Sequence, residues 1–78
     1  MKVEVRAFAT LRSFLPPETR HTAMLNVPEG STIRDVTRSL GIPDEMALVA
    51  LLNGRETEPG QRLKTGDVVT LFPPLAGG

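Results

Sequence analysis

The 78-residue sequence contains no cysteine, no tryptophan and no tyrosine. Without cysteine the chain cannot form a disulfide, a cysteine-ligated metal site, a thiol nucleophile or a side-chain persulfide. Its three phenylalanines leave few rings for stacking on nucleic-acid bases. An excess of one charge is also absent, because 9 Lys and Arg balance 9 Asp and Glu. This balance argues against general binding of nucleic acid or of acidic membranes.

Long apolar runs are missing as well. The longest, from Met46 to Leu52, is far shorter than the roughly 20 residues that cross a bilayer, and the N-terminus has no signal-peptide pattern. We therefore expect a soluble, cytoplasmic protein without membrane contact. A chain of 78 residues, 40% of them hydrophobic, holds one small core. We expect a single domain over residues 1–78, with a globular body over 1–72 and an extended tail over 73–78.

Two segments near the N-terminus predict an antiparallel pair of strands. Apolar residues alternate with charged ones over 1–8 and with polar ones over 22–27, a period typical of strands with one buried face. Phe8 falls on the charged side of the first strand, so its ring faces solvent or a partner unless a short helix covers it. Between the strands, Thr10 is expected to cap a helical turn that the following pair of prolines ends.

The main helix follows the second strand. Ser31 or Thr32 is a suitable N-cap, and Asp35 lies in the first turn. Apolar residues recur at i, i+3 and i+7 until a glycine and a proline end the pattern. Arg34 and Arg38 lie one turn apart on another face, where they form a solvated surface or dock an acidic partner.

Three further strands are predicted after the helix. The segment 46–52 is apolar throughout, which is typical of a strand buried on both faces near the middle of a sheet. Asn53-Gly54 favours a type I′ turn and a short returning strand, and Leu63 is expected to fill the core. Residues 68–72 form the last strand. One sheet crossed by one long helix is an α+β arrangement.

Residue types suited to catalysis or metal binding are sparse. His21 is the only histidine, and without cysteine it cannot complete a metal cluster or a cysteine–histidine pair. A hydrolytic triad could be drawn only from Ser13, Ser31 and Asp35, but helix capping already accounts for Ser31 and Asp35. We therefore expect neither a metal site nor catalysis by this chain alone.

The C-terminal segment from Phe72 to Gly78 carries no charged side chain. Pro73 and Pro74 cannot extend a ladder of hydrogen bonds, and they favour a stiff, projecting exit. Gly77 and Gly78 lack a Cβ, so the tip can enter a channel too narrow for any side chain. The sequence predicts a tail that presents the Gly78 carboxylate to another protein.

A carboxylate reacts with nucleophiles only after activation, most simply as an acyl-adenylate made with ATP. The sequence has no glycine-rich phosphate loop, so another protein must supply this step. The activated tail then passes to a sulfur donor, giving a thiocarboxylate, or to a lysine amine, giving an isopeptide bond. A third hypothesis is a non-covalent interaction module in which the tail has no role.

Several segments together resemble the MoaD/ThiS family of sulfur-carrier proteins, and the MoaD type, the small subunit of molybdopterin synthase, is the closest. The resemblance covers essentially the whole chain, and its C-terminal segment is the most specific part. The matching segments are Phe8-Ala-Thr-Leu-Arg12, Val27-Pro-Glu-Gly-Ser-Thr32, Asn53-Gly54, Leu63-Lys-Thr-Gly-Asp67 and Phe72-Pro-Pro-Leu-Ala-Gly-Gly78. The helical connector over 10–22 favours the MoaD type over the ThiS type.

The resemblance implies a ubiquitin-like β-grasp fold, with a mixed sheet of about five strands packed on one main helix and a flexible Gly-Gly tail. It implies a non-catalytic subunit that binds no cofactor itself. An E1-like adenylating enzyme would use ATP to activate Gly78, and a sulfur donor of the cysteine desulfurase or rhodanese type would then form the thiocarboxylate. The sulfur would pass to a pterin within a heterotetramer formed with the large subunit of molybdopterin synthase.

The resemblance also assigns roles to individual residues. Phe8 and Phe72 would belong to an apolar patch that docks the partners. The tail would consist of Pro73, Pro74, Leu75, Ala76, Gly77 and Gly78, of which the last four would lie in the channel of the large subunit. The alternatives are a sulfur carrier for another pathway, such as thiazole, tungsten-pterin or amino-acid synthesis, and a ubiquitin-like modifier conjugated to lysine.

Overall fold

The computed structural model describes residues 1–74. Two short 3₁₀ helices, Ala9–Phe14 and Pro17–Thr19, connect the first two strands. No helix within these residues is long and apolar enough to cross a membrane. The remaining elements, in chain order, are β1 (Lys2–Ala7), β2 (Thr22–Asn26), α1 (Ile33–Ser39), β3 (Val49–Leu52), β4 (Arg55–Glu56) and β5 (Val68–Phe72).

The strands form one mixed sheet in the order β2-β1-β5-β3-β4. β1 pairs with β5 in parallel, whereas the other neighbouring strands are antiparallel. The parallel pair, β1 and β5, lies at the centre of the sheet. Parallel strands need a long crossover connection, and here the chain between β1 and β5 supplies it. The protein therefore has the ubiquitin-like β-grasp fold, as expected from the sequence.

The core lies between the sheet and α1. Alternate residues of the two central strands face the helix, and each is at most 1% exposed; they are Val3, Val5, Ala7, Val69 and Leu71. Ile33 and Val36 reach this layer from α1, and Leu63 fills it from the loop before β5, as predicted. Burying a side chain of this size contributes about 1.5–3 kcal/mol, so this face carries most of the folding free energy.

A capping box begins α1. The hydroxyl of Thr32 accepts a hydrogen bond from the backbone N–H of Asp35, and the Asp35 carboxylate accepts one from the backbone N–H of Thr32. Ser31, the other cap suggested by the sequence, instead donates its hydroxyl to the carbonyl of Pro28. The helix ends before Gly41, whose φ of +86° is the left-handed conformation that glycine adopts most readily.

The connector between β1 and β2 differs from the prediction at its start. The N-cap of the first 3₁₀ helix is Phe8, which makes no side-chain capping bond, so the assignment of this role to Thr10 was wrong. The helix instead begins two residues earlier, at Ala9, and is held by Leu11, which is buried in the core. The proline pair ends it as predicted, and Pro17 then starts the second 3₁₀ helix.

The predicted strand over 46–52 is shorter and more exposed than expected. Only Val49–Leu52 forms a strand, and all four residues are half-buried. Met46 is 38% exposed in the preceding loop. The prediction of burial on both faces was wrong because α1 covers only one face of the sheet and β3 lies one position from its edge.

The Asn53-Gly54 turn is as predicted. The φ angles of Asn53 and Gly54 are +51° and +86°, as a type I′ turn requires. The Asn53 side chain also accepts a hydrogen bond from the Val68 N–H at 2.9 Å and donates one to Asp67 at 3.1 Å. The Asp67 carboxylate in turn accepts a hydrogen bond from the backbone N–H of Lys64, with 2.7 Å between nitrogen and oxygen. This network joins the hairpin turn to the turn that starts β5.

Candidate functional site

The side of the sheet away from α1 carries an apolar surface. On β5, Thr70 and Phe72 point to this side, because Val69 and Leu71 point to the core. Their cross-strand neighbours on β3 are Leu51 and Val49 respectively. All four are half-buried, although no second layer covers them within residues 1–74. These four residues and Phe8 form what we call the open-face patch: Phe8, Val49, Leu51, Thr70 and Phe72.

Phe8 joins the patch from the end of β1. Its N–H donates to the carbonyl of Leu71 at 3.0 Å, one residue beyond the last register pair of β1 and β5. The extended backbone of Phe8 continues the alternation of β1, which sets Phe8 beside Phe72 on the open side. Its ring is 39% exposed and stacks on His21 with centroids 5.2 Å apart. The two phenylalanines that the resemblance assigned to a docking patch thus lie on the same side of the sheet, at the ends of adjacent strands.

The predicted tail follows directly on this patch. Pro73 is half-buried and Pro74 is exposed, and neither belongs to a strand. They follow Phe72 at the end of the central strand β5, between β1 and β3. The other predicted tail residues, from Leu75 to Gly78, lie outside the described residues. The described part of the chain therefore fixes where the tail starts and which surface surrounds that point.

Two members of the patch were missed by the sequence interpretation. The sequence predicts that Val49 and Leu51 lie in a strand buried on both faces, because an uninterrupted apolar run gives no period from which to separate an open face from a covered one. A different signal was available. A chain of this length with one main helix can cover only one side of its sheet. In a strand that is apolar throughout, alternate residues must therefore face the uncovered side.

Charged groups surround the patch. Arg6 neighbours Thr70 across the β1–β5 pair and forms an exposed ion pair with Glu4. Glu56 stands opposite Leu51 on β4. Exposed ion pairs of this kind contribute little to stability. An apolar centre with a charged border is the usual composition of a protein-docking surface.

The hydroxyl groups of the described residues serve local structure. Ser13 donates to the carbonyl of Thr10 and Ser31 donates to that of Pro28. Asp35 is held by the capping box, as the sequence analysis inferred. His21 is exposed at the edge of the open-face patch and is stacked on Phe8 rather than paired with a carboxylate. Within residues 1–74 no group of three or more His, Asp or Glu is placed to hold a metal ion.

The perturbed pKa values lie on the helix side of the molecule. The backbone N–H of Thr32 lowers the pKa of Asp35, and the Thr32 hydroxyl adds to this effect. The hydrogen bonds from Arg38 to Asp44 lower the pKa of Asp44, and the same hydrogen bonds raise the pKa of Arg38. Arg38 donates to Asp44 at 2.6 Å, and the side chains of both residues are exposed. These interactions are local to α1 and its following loop and lie away from the open-face patch.

A cavity of about 110 Å³ lies on the helix side, between α1 and the loop that leads to β3. Its walls include Ile33, Arg34, Met46 and Leu48. It is separated from the open-face patch by the sheet itself. The cavity is therefore not part of the tail site.

Comparison with known proteins places the chain in a family. The sequence profile of the Mut7-C ubiquitin family matches residues 1–76. A comparison with curated proteins found no match. The chain therefore belongs to the Mut7-C ubiquitin family, and it is a small ubiquitin-like protein.

Solved structures of the same fold are similar along the whole chain. Small archaeal modifier protein 1 of Haloferax volcanii is 25% identical, with a TM-score of 0.77 and 100% of both chains covered. A putative molybdopterin converting factor subunit 1 from Pyrococcus furiosus is 27% identical, with a TM-score of 0.75, 95% of this chain and 98% of that chain covered. The protein is thus related to modifier proteins and to molybdopterin converting factors.

A third similar structure contains a partner. It is the complex of subunits 1 and 2 of molybdopterin-converting factor from Helicobacter pylori, matched at 24% identity and a TM-score of 0.64 with 100% of both chains covered. At this identity the likeness shows the shared fold alone. In the Helicobacter pylori structure, subunit 1 is bound to subunit 2.

Proposed function

We propose that this member of the Mut7-C ubiquitin family is a sulfur carrier, with the Gly78 carboxylate as the group that carries the sulfur. The position of the tail base supports this most directly. The Pro-Pro-Leu-Ala-Gly-Gly segment begins where the central strand β5 ends, within the open-face patch. A partner that docks on this patch would therefore lie next to the start of the tail. The absence of cysteine adds support, because no side chain of this sequence can carry the sulfur instead.

The chemistry is carried by the terminus and by other proteins. An adenylating enzyme joins the carboxylate to AMP and releases pyrophosphate from ATP. A donor persulfide of the cysteine desulfurase or rhodanese type then attacks the acyl carbon and AMP leaves. A thiol reduces the resulting acyl disulfide and frees the thiocarboxylate. This chain supplies the docking surface and the tail, and it binds no cofactor of its own.

The acceptor that we propose is the pterin precursor of molybdopterin, held by a large catalytic subunit in a heterotetramer. The similarity to the Pyrococcus furiosus converting-factor subunit supports this choice over thiazole, tungsten-pterin or amino-acid synthesis. The Helicobacter pylori complex gives an example of this fold with a second subunit. The open-face patch is the surface by which both the activating enzyme and the large subunit would bind, since each must receive the same tail.

Intact mass spectrometry tests the carrier function. The protein is incubated with ATP, a sulfur source and soluble extract of the host, beside a variant that lacks Gly78. We expect a mass increase equal to the replacement of one oxygen by sulfur, present in the full chain and absent from the shortened one. An unmodified mass in an extract that converts a known carrier would overturn the proposal.

A second candidate is a protein modifier, favoured by the similarity to small archaeal modifier protein 1. Activation would be the same, but a lysine amine would attack the acyl-adenylate and form an isopeptide bond with loss of AMP. Trypsin digestion of host proteins would then yield lysines that carry the remnant 65–78, because Lys64 is the last basic residue of the sequence. Such remnants, absent from cells that express the Gly78-deleted chain, would identify this function.

A further inference from the structure

The two edges of the sheet are protected to different degrees. β4, at one edge, has two residues, Arg55 and Glu56, and both are charged and exposed. Short, charged strands discourage pairing with another chain. β2, at the other edge, has five residues with no charge and no proline. This edge therefore lacks the features that normally prevent strand-to-strand association.

The hydrogen-bonding groups at the β2 edge can be assigned from the pairing with β1. The Ala7 N–H donates to the carbonyl of His21, and the Val27 N–H donates to that of Met1, each at 2.8 Å. In an antiparallel pair these bonded positions recur at every second residue. The backbone groups of Thr22, Met24 and Asn26 therefore point away from β1. No hydrogen bond reaches them from any element outside the β1–β2 pair within residues 1–74.

We propose that this edge binds the same edge of a second copy, with the two β2 strands antiparallel about a two-fold axis at Met24. The pairing sets Met24 against its own copy and Thr22 against Asn26. Met24 is 56% exposed and lies on the open side of the sheet, so the two side chains would bury each other at the centre. The sequence of β2 is thus self-complementary: apolar in the middle and uncharged at both ends.

Charges beyond the strand favour a second copy over an unrelated peptide. Beyond the strand ends, the turn that holds Arg20 in one copy would come near the segment that holds Pro28 and Glu29 in the other, at both ends of the interface. Arg20 is exposed. The Glu29 side chain is 84% exposed, with its carboxylate 3.8 Å from the Met1 ammonium. The net charge of the chain is zero, so two copies do not repel each other as a whole. The chain therefore supplies both the edge and the complementary charges.

The dimer would leave the open-face patch free. A two-fold axis perpendicular to the sheet joins the two sheets into one continuous sheet, with both patches on the same side. β1 separates β2 from β5 in each copy, so the base of each tail stays outside the interface. Because the paired strands run in opposite directions, the two tails begin at opposite ends of the dimer. Two partners can then bind one dimer.

Sedimentation equilibrium of the full chain over a wide concentration range tests the association. One strand pair buries less than the roughly 800 Å² per partner of a stable complex, so the dimer should form only at high concentration. The mass should rise from 8.4 kDa toward twice that value. Met24→Lys, which sets two like charges on the axis, should remain monomeric. Gln61→Lys, an equal charge change on an exposed loop, should associate like the wild type.

Cross-linking tests the register independently. Directly opposed residues with outward backbone groups have Cα atoms about 5.5 Å apart, within the range that a disulfide spans. Since the chain has no cysteine, Met24→Cys should oxidise to one covalent dimer, whereas Glu56→Cys on the other edge should do so much more slowly. A wild-type mass that stays at 8.4 kDa at millimolar concentration would overturn the proposal. Equal association of Met24→Lys, or equal cross-linking of the two cysteine variants, would also overturn it.

Discussion

The helix-covered face and the open face of the sheet are built from the same strands but meet different surroundings. On β5, Val69 and Leu71 are fully buried against α1, whereas Thr70 and Phe72 are half-buried on the uncovered side. Successive residues of one strand therefore serve different purposes. The covered residues hold the fold together, and the uncovered ones form the surface from which the tail emerges.

This difference shows that an apolar residue type does not by itself indicate a core position in so small a domain. One helix covers one side of the sheet, and the remaining apolar residues are available to a partner. Substitutions on the two faces should consequently separate stability from partner binding.

The largest effect is expected on the covered face. Leu71→Ala removes a fully buried side chain from the centre of the core and should lower the free energy of unfolding by about 2–5 kcal/mol. The adjacent Thr70→Ala, on the open face, should change it by only about 0.5 kcal/mol. Urea unfolding of both variants measures the difference. Similar losses for the two would show that the open face is as much a part of the core as the covered face.

The next effect concerns the open face and rests on the proposed function. Leu51→Asp puts a charge in the middle of the open-face patch and should slow thiocarboxylate formation at least tenfold, the size expected for an interface anchor. Its circular dichroism should remain that of a folded domain. The rate is read from the mass shift with the activating enzyme present.

Met46→Asp is the matched control for Leu51→Asp. It makes the same kind of change at a partly exposed apolar residue on the helix side of the sheet. The rate should stay within about twofold of the wild type, because a substitution away from an interface is usually near neutral. An equal slowing in the two variants would mean that a general loss of folded protein, not docking, limits the reaction.

A smaller effect is expected at the cap that holds the covering helix. Thr32→Ala removes one half of the capping box and should cost about 1 kcal/mol of unfolding free energy. Thr32→Ser keeps the hydroxyl and should restore most of it. Thermal unfolding compares the three proteins. Sulfur transfer by the folded fraction should not change, since α1 lies on the side away from the open-face patch.

The smallest effect is a dependence of stability on pH. Folding lowers the pKa of Asp35 and of Asp44 below the ordinary value of 3.8, so their ionised forms favour the folded state. Their contribution is complete above that value and is lost as the pH falls through the lowered pKa values. Stability should therefore decline in acid below about pH 4. Asp35→Asn should reduce the slope of this decline, and an unchanged slope would contradict the assignment.

Local patterns were sufficient for most of the fold. The alternation around Val5 predicted β1, Asn53-Gly54 predicted the hairpin, and the cap at Thr32 predicted the start of α1, because each signal acts over a few neighbouring residues. The start of the connector was predicted wrongly at Thr10. The burial of Leu11 in the core, not a capping hydroxyl, decides where that helix begins.

The candidate site was predictable only in part. Phe8 could be singled out because it falls on the charged side of β1, and Phe72 because the family resemblance assigns it to a docking patch. Their meeting on one surface depends on the parallel pairing of β1 with β5, two segments at opposite ends of the chain. The roles assigned to Leu75, Ala76, Gly77 and Gly78 remain predictions.

The sequence by itself determined most of the strands, the main helix and the lack of any side chain able to carry sulfur, and it indicated the tail as the chemical feature of interest, because these depend on composition and local spacing. Only the tertiary structure decided which apolar residues are core and which are surface. Val49 and Ala50 are both apolar neighbours, yet one faces the open side and the other faces α1. Burial depends on which layers meet, and that is set by contacts between distant parts of the chain.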